Sequence, residues 1–420
     1  MNWKAVRIFL ATVLLSLVFD CAAKKGGQVE VLHWWTSGGE AASVKVLKEL
    51  LEKEGYGWKD FAVAGGGGDT AMTVLKSRAV AGNPPAAAQV KGPQIQLWAE
   101  QGFLENMDDV AQAEKWDELI PKVIADIMKY QGHYVAVPVN VHRINWMWVN
   151  PEVFKKAGAK IPKTWAEFED AAKKIQAAGL IPVAWGGQPW QEATVFETVV
   201  AGVGGTEFYK KTLVEADPDA INSPTMVKCL ETLKMITKYI DKGAPGRDWN
   251  LATAMVIKGE AGMQFMGDWA KGEFTAAGKK PDVDYIAVPA PQTEKQFLFN
   301  VDSFIMFKVK NPKDKEAQKA MARLILQPKF QEVFNVNKGS IPVRLGMPED
   351  PFDSVARKSM KDFVNSAKTG DLVPSMAHEM AVMPAIRGAI LDSVTKYLNS
   401  DMSAKDAAKA MAEAVKAAKK

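Results

Sequence analysis

Cysteine and histidine are scarce in this chain: two and four in 420 residues. Cys21 and Cys229 are too few for a disulfide framework or a zinc cluster. The histidines stand at 33, 133, 142 and 378, and no HExxH pair occurs, so a catalytic metal has no support. The GxSxG elbow of serine hydrolases is missing too. Charge of one sign is not in excess either. Lys and Arg number 53 against 49 Asp and Glu, a formal net charge of +4, whereas chains that bind nucleic acid carry a strong basic excess. Mean hydropathy of −0.13 excludes a polytopic membrane protein.

One apolar run does occur, at the N-terminus. Lys4 and Arg7 precede Ile8–Phe19, apolar apart from Thr12 and Ser16, and Cys21, Ala22 and Ala23 follow. This basic, apolar, small order predicts a secretory signal peptide over residues 1–23, too short to span a bilayer comfortably. Cleavage after Ala23 removes Cys21 and leaves Cys229 alone in a predicted helix over 224–240. A secreted chain this long buries enough core to stand without disulfides, which suits a bacterial periplasm.

Tryptophan is abundant, 13 against 7 Tyr. The excess either fills core or presents flat rings to a ligand.

Strand and helix patterns alternate through the body. Strands are predicted over 28–35, 61–63 and 87–90, with helices over 41–54, 70–81 and 95–101, the pattern of a parallel or mixed sheet covered by helices. Thr164 with Glu167 forms a capping box that opens a helix to Ala178, and a strand follows over 181–185. Further helices are predicted over 190–202 and 224–240. The β-rich runs 134–150 and 297–308 lie between these blocks and suit crossovers between domains. The Ala- and Lys-rich stretch 403–420 reads as a solvated helix face.

Trp34-Trp35-Thr36-Ser37-Gly38-Gly39-Glu40 falls at the carboxyl end of the first strand, the edge where open α/β sheets bind ligands. Neighbouring side chains on a strand face opposite ways, so Trp34 and Trp35 cannot share one core. Two readings stay open: two core indoles and a turn, or a stacking platform with Glu40 accepting hydroxyls. Gly65–Gly68 precede a helix but lack the Lys-Ser/Thr of a phosphate loop, so a turn is favoured. Lys91 follows a strand as a hydroxyl donor or a solvated lysine. Glu40 and Asp302 also allow a glycosidase pair in a secreted enzyme.

Five segments together resemble the family 1 extracellular solute-binding proteins of bacterial ABC importers: WMWVNPEVF (146–154), TWAEF (164–168), IKGEAGMQFMGDWAKGEF (257–274), NVDS (300–303) and NKGSIPVR (337–344). The opening VLHWWTSGGE is similar to that of Gram-negative periplasmic glucose-binding proteins. The resemblance implies a periplasmic-binding-protein-like α/β fold, with two lobes of mixed sheets, several hinge crossovers and a cleft between them. It implies an N-terminal lobe of 24–139 with 301–345, and a C-terminal lobe of 140–300 with 346–420. Hinges are expected near 137–140, 299–301 and 345–349. Trp34 and Trp35 would pack on a sugar ring and Trp269 would face it from the other lobe. Glu40, Gln89, Lys91, Asp302, Lys338 and His378 would form the hydrogen-bond set, the carboxylates accepting and the Lys and His donating. The role of His378 rests on the resemblance alone. Of the remaining tryptophans, Trp3 leaves with the leader and nine are assigned to packing. The implied protein is a monomer and not an enzyme, without cofactor or metal. It captures a monosaccharide, glucose first, and delivers it to an inner-membrane ABC permease. Another sugar or polyol, such as mannose or an oligosaccharide, is the alternative ligand.

Overall fold

The computed structural model describes residues 26–420; the predicted signal peptide lies outside them. Three of the four sheets among the described residues organise the lobes, the fourth being a two-stranded hairpin, Lys129–Tyr130 with His133–Tyr134. In the strand Gln28–His33, Val29 and Val31 are fully buried while Gln28 and Glu30 are not, the alternation of a half-covered strand. It pairs in parallel with Gly57–Ala62 and Ala87–Val90. Ser303–Met306 then runs antiparallel to Ala87–Val90 and to Ala136–Pro138, completing a five-stranded mixed sheet. The second sheet orders Ile286–Pro289, Trp146–Val149, Ala261–Phe265 and Ile181–Val183.

A hydrophobic core surrounds each of these sheets. Val29, Leu47, Val90 and Phe304 belong to the first, and Trp148, Phe168, Met263 and Leu230 to the second. The third sheet carries the chain from one lobe to the other. Its strands are Ile341–Pro342, Asn140–Arg143, Phe297–Asn300 and Leu372–Pro374, in that order. The helix Ser354–Thr369 also lies between the lobes: Ala356 and Phe363 pack into the first core and Val355 into the second.

Local chemistry sets the helix boundaries. The Glu167 amide donates to Thr164 Oγ1 at 3.2 Å and the Thr164 amide to Glu167 Oε2 at 3.1 Å, a reciprocal box opening Trp165–Ala177. The C-terminal stretch differs from a simple solvated helix. In Ala404–Ala418 the residues Ala407, Ala408, Met411, Ala412 and Val415 are buried in the second core, and the lysines keep the opposite face wet. Among the described residues, no helix is long and apolar enough to cross a membrane.

Candidate functional site

Where the first strand ends and the third sheet crosses, the two lobes enclose a cavity holding about 780 Å³ of empty space out to its mouth. Trp34, Trp35, Glu40, Lys91, Trp269, Asp302, Lys338 and His378 all line it. Gln89 stands one layer behind, its Nε2 donating to Asp302 Oδ1 at 3.1 Å and its Oε1 accepting from the Trp34 amide at 3.3 Å.

The two adjacent tryptophans have different surroundings. Trp35 is 2% exposed and packs against Phe304 and Phe334, with ring centroids 5.6 and 5.3 Å away. Trp34 is half-buried and has the Lys91 ammonium 5.0 Å from its ring centroid. The core and platform readings are thus divided between the pair.

The four-glycine loop threads between two indoles. A Cβ on Gly67 would come within 3.0 Å of the Trp190 ring, and one on Gly68 within 3.1 Å of Trp34. Their φ values of +60° and +114° also favour glycine. The loop is therefore a turn, as its sequence favours, but one that closes the lobes over the cavity.

Glu40 is more committed than expected. Its Oε2 accepts from the amides of Thr36 and Ser37 at 3.2 and 3.4 Å, and its Oε1 accepts from Lys338 Nζ at 2.9 Å. It thereby secures the start of the helix Gly38–Lys53 and leaves about one lone-pair site for a ligand.

Beneath these residues lies a buried ionic triad that sequence reasoning missed. His142 Nε2 lies 2.9 Å from Asp302 Oδ2 and its Nδ1 meets Asp268, so a carboxylate faces each ring nitrogen and the pair favours the imidazolium. Burial opposes that charge, but the two carboxylates outweigh it and shift the His142 pKa upward. Burial likewise opposes ionisation of Asp302, yet His142, Lys338 and Lys91 hold its carboxyl far below the usual range. Asn140 locks the geometry: its Nδ2 donates to Asp302 Oδ2 at 3.3 Å and its Oδ1 accepts from the Asp302 amide at 3.1 Å.

His378 behaves oppositely. Burial, then Lys91 and Arg387, push its pKa well below the ordinary 6.5, so it is neutral. Its Nε2 is 2.9 Å from Thr194 Oγ1, whose hydroxyl donates to the Trp190 carbonyl at 2.8 Å. Nε2 therefore carries the proton and Nδ1 is an acceptor. The expected donor role is thus reversed at the cavity. Glu197 builds the loop beneath it, accepting from Ser375 Oγ at 2.6 Å, the Met376 and Ala377 amides at 2.8 and 3.1 Å, and Tyr209 at 2.9 Å. Full burial raises the Glu197 pKa to about 7, with those donors opposing the shift.

The aromatic wall is larger than three residues. Trp269 meets His142 and His378 edge to face, with centroids 5.3 and 4.9 Å away, and Trp190 and Trp249 flank it at 6.3 and 6.5 Å. Trp190 and Trp249, assigned to packing from sequence, line the cavity. The tryptophan excess was the available signal for them, but nothing in either local sequence separates a lining indole from a core one.

Several polar groups of the cavity lining have no hydrogen-bond partner, Ser37 Oγ among them. Lys91 is 3% exposed, and its ammonium makes no hydrogen bond or ion pair among the described residues. Asn300, also 3% exposed, has its Oδ1 buried without a hydrogen bond. Unsatisfied groups of this kind are costly in a folded chain unless something else satisfies them. The glycosidase reading has no comparable support: Asp302 is held as an anion, unfit as an acid, and Glu40 is tied to Lys338 and the helix start. Among the described residues, no group of three His, Cys, Asp or Glu could hold a metal.

Two lobes, crossing strands and a charged, tryptophan-lined cleft define a solute-binding protein. The chain belongs to the bacterial extracellular solute-binding protein family, whose model matches residues 35–329. A probable sugar-binding periplasmic protein of Brucella melitensis is 48% identical over 397 residues, covering 94% of each chain. One of the same description from Rhizobium meliloti is 45% identical over 416 residues, covering 99% of this chain and all of that one. Among solved structures, the bacterial solute receptor AcbH superposes with a TM-score of 0.79 at 19% identity, covering 93% of this chain and 99% of its own. That receptor is described as having an exclusive substrate preference for β-D-galactopyranose. The matching family, these relatives and the structural neighbour are solute-binding proteins, not enzymes.

Proposed function

We propose that the protein captures glucose in the periplasm by hinge closure and presents it, as a monomer, to an inner-membrane ABC permease. The lobes that move are 24–139 with 301–345 and 140–300 with 346–420, joined by the third sheet. The observation that carries the reading is the pairing of unsatisfied polar groups with indole walls. Lys91 and Asn300 wait without partners beside Trp34 and Trp269, and a pyranose offers equatorial hydroxyls to the first pair and flat C–H faces to the second. Each charge-assisted hydrogen bond to such a hydroxyl contributes about 1.5–3 kcal/mol. Glu40, Gln89, Asp302, Lys338 and His378 complete the set, with Gln89 acting through Asp302. Near-neutral overall charge suits a ligand that needs no electrostatic steering.

Calorimetry against glucose, mannose, galactose and maltose, with size-exclusion chromatography, tests this. Binding of glucose with a changed tryptophan emission supports the assignment. Tight binding of maltose or galactose with none of glucose overturns it.

A further inference from the structure

Asp69 opens the helix Asp69–Val80 directly after the glycine loop, on the lobe that carries Lys91. Arg387 lies on the helix Pro384–Leu398, packed with the other core. They meet across the cleft: Arg387 Nη1 donates to Asp69 Oδ1 at 2.9 Å and Nη2 to Oδ2 at 3.5 Å. Arg387 Nε donates at 2.9 Å to the carbonyl of Ala377, the residue before His378.

A second carboxylate forms an ion pair with the same guanidinium but no hydrogen bond to it. Glu379 Oε1 lies 3.8 Å from Arg387 Nη1, beyond hydrogen-bond range. Its Oε2 is buried with no partner among the described residues, and its φ of +64° lies in the left-handed region that favours glycine. With one oxygen unsatisfied and its backbone strained, Glu379 has contacts to gain in a second arrangement.

From these contacts we infer that Arg387 is a positioning residue that exchanges carboxylates. It holds Asp69 when the lobes are closed and Glu379 when they are open, and it links the exchange to His378 through Ala377. Opening carries Asp69 away with its lobe. Glu379 then parts from Gly92, which its carbonyl closely approaches, and stays with the lobe that bears Arg387, where Glu197 pins Ser375–Ala377. The guanidinium then turns to the free Oε2, and neither state leaves it without a carboxylate. Closure thus trades one hydrogen-bonded carboxylate partner for another, so that sugar contacts decide the balance.

The inference rests on the hinge-closure reading above, and opposite effects of two substitutions test it. Asp69→Asn removes the closed-state partner and should weaken glucose binding about two- to fivefold, the range of a part-exposed ion pair. Glu379→Gln removes the open-state partner and should strengthen binding by about the same factor. Small-angle scattering without sugar should show a smaller radius of gyration for Glu379→Gln than for wild type. Thermal melts establish that both variants fold, and Arg387→Lys, which cannot hold Asp69 and Ala377 together, should lose the difference. A wild type that contracts with glucose while both variants behave like it, or shift the same way, overturns the exchange alone. A wild type that binds glucose without contracting overturns the hinge reading and the exchange with it.

Discussion

Replacing Lys91 with methionine separates a binding lysine from a structural one by sign. The side chain is 3% exposed, and its ammonium meets the Trp34 ring at 5.0 Å with no hydrogen bond among the described residues. Desolvating such a cation costs several kcal/mol. The ring returns roughly 0.5–2 kcal/mol, and Asp302 adds a longer-range attraction. A net cost on the order of 1 kcal/mol remains in the empty protein. A ligand oxygen at Nζ reverses it with a charged hydrogen bond of about 1.5–3 kcal/mol. Methionine keeps the stem and discards the charge. Lys91→Met should therefore hold or raise the urea midpoint of the ligand-free protein while weakening sugar affinity about 10- to 150-fold. Paired denaturation and calorimetry read both quantities. Lower stability with unchanged affinity would refute the reasoning and make Lys91 a structural residue.

Further outcomes follow from other parts of the site. Trp34→Ala should lose most sugar affinity with the fold intact, whereas Trp35→Ala, removing a ring packed on Phe304 and Phe334, should cost about 3–5 kcal/mol of stability; thermal melts with calorimetry distinguish them. Glu197 has its pKa raised from 4.5 to about 7, so its contribution is fully present below 4.5 and is lost as pH rises through 7. His142, raised above 6.5, acts in the same direction at higher pH. Asp302, lowered below 3.8, loses its contribution as pH falls. The melting temperature should peak at about pH 4 to 5, and Glu197→Gln should flatten the decline from about pH 4.5 to about 7, a span worth roughly 3 kcal/mol. An unchanged slope in that variant would show that Glu197 does not titrate there.

Much of the fold was legible because its elements follow local rules. The strand over 87–90 and the Thr164 box appear where the residue pattern puts them. The ends of other elements shifted: the first strand stops at His33 because Trp34 and Trp35 leave the sheet for the cavity and the core. Most of the site was legible through family-like segments, not through chemistry. His142 and Asp268 were not, because their pairing joins positions 126 apart and appears only when the chain crosses between lobes. His378 shows the same limit. Its neutrality and acceptor role depend on Thr194, Lys91 and burial, none of them visible from SMAHE.

The lone cysteine of the described residues has a practical consequence. Cys229 is fully buried on the helix Pro224–Ile236, and burial pushes its thiol up to about 12, which keeps it protonated and unreactive at neutral pH. Among the described residues the protein therefore offers a silent background to thiol reagents. A cysteine introduced at the exposed cavity rim, at Thr36 for instance, would be the single labelling point there, and a fluorophore at that position would report the filling of the cleft directly.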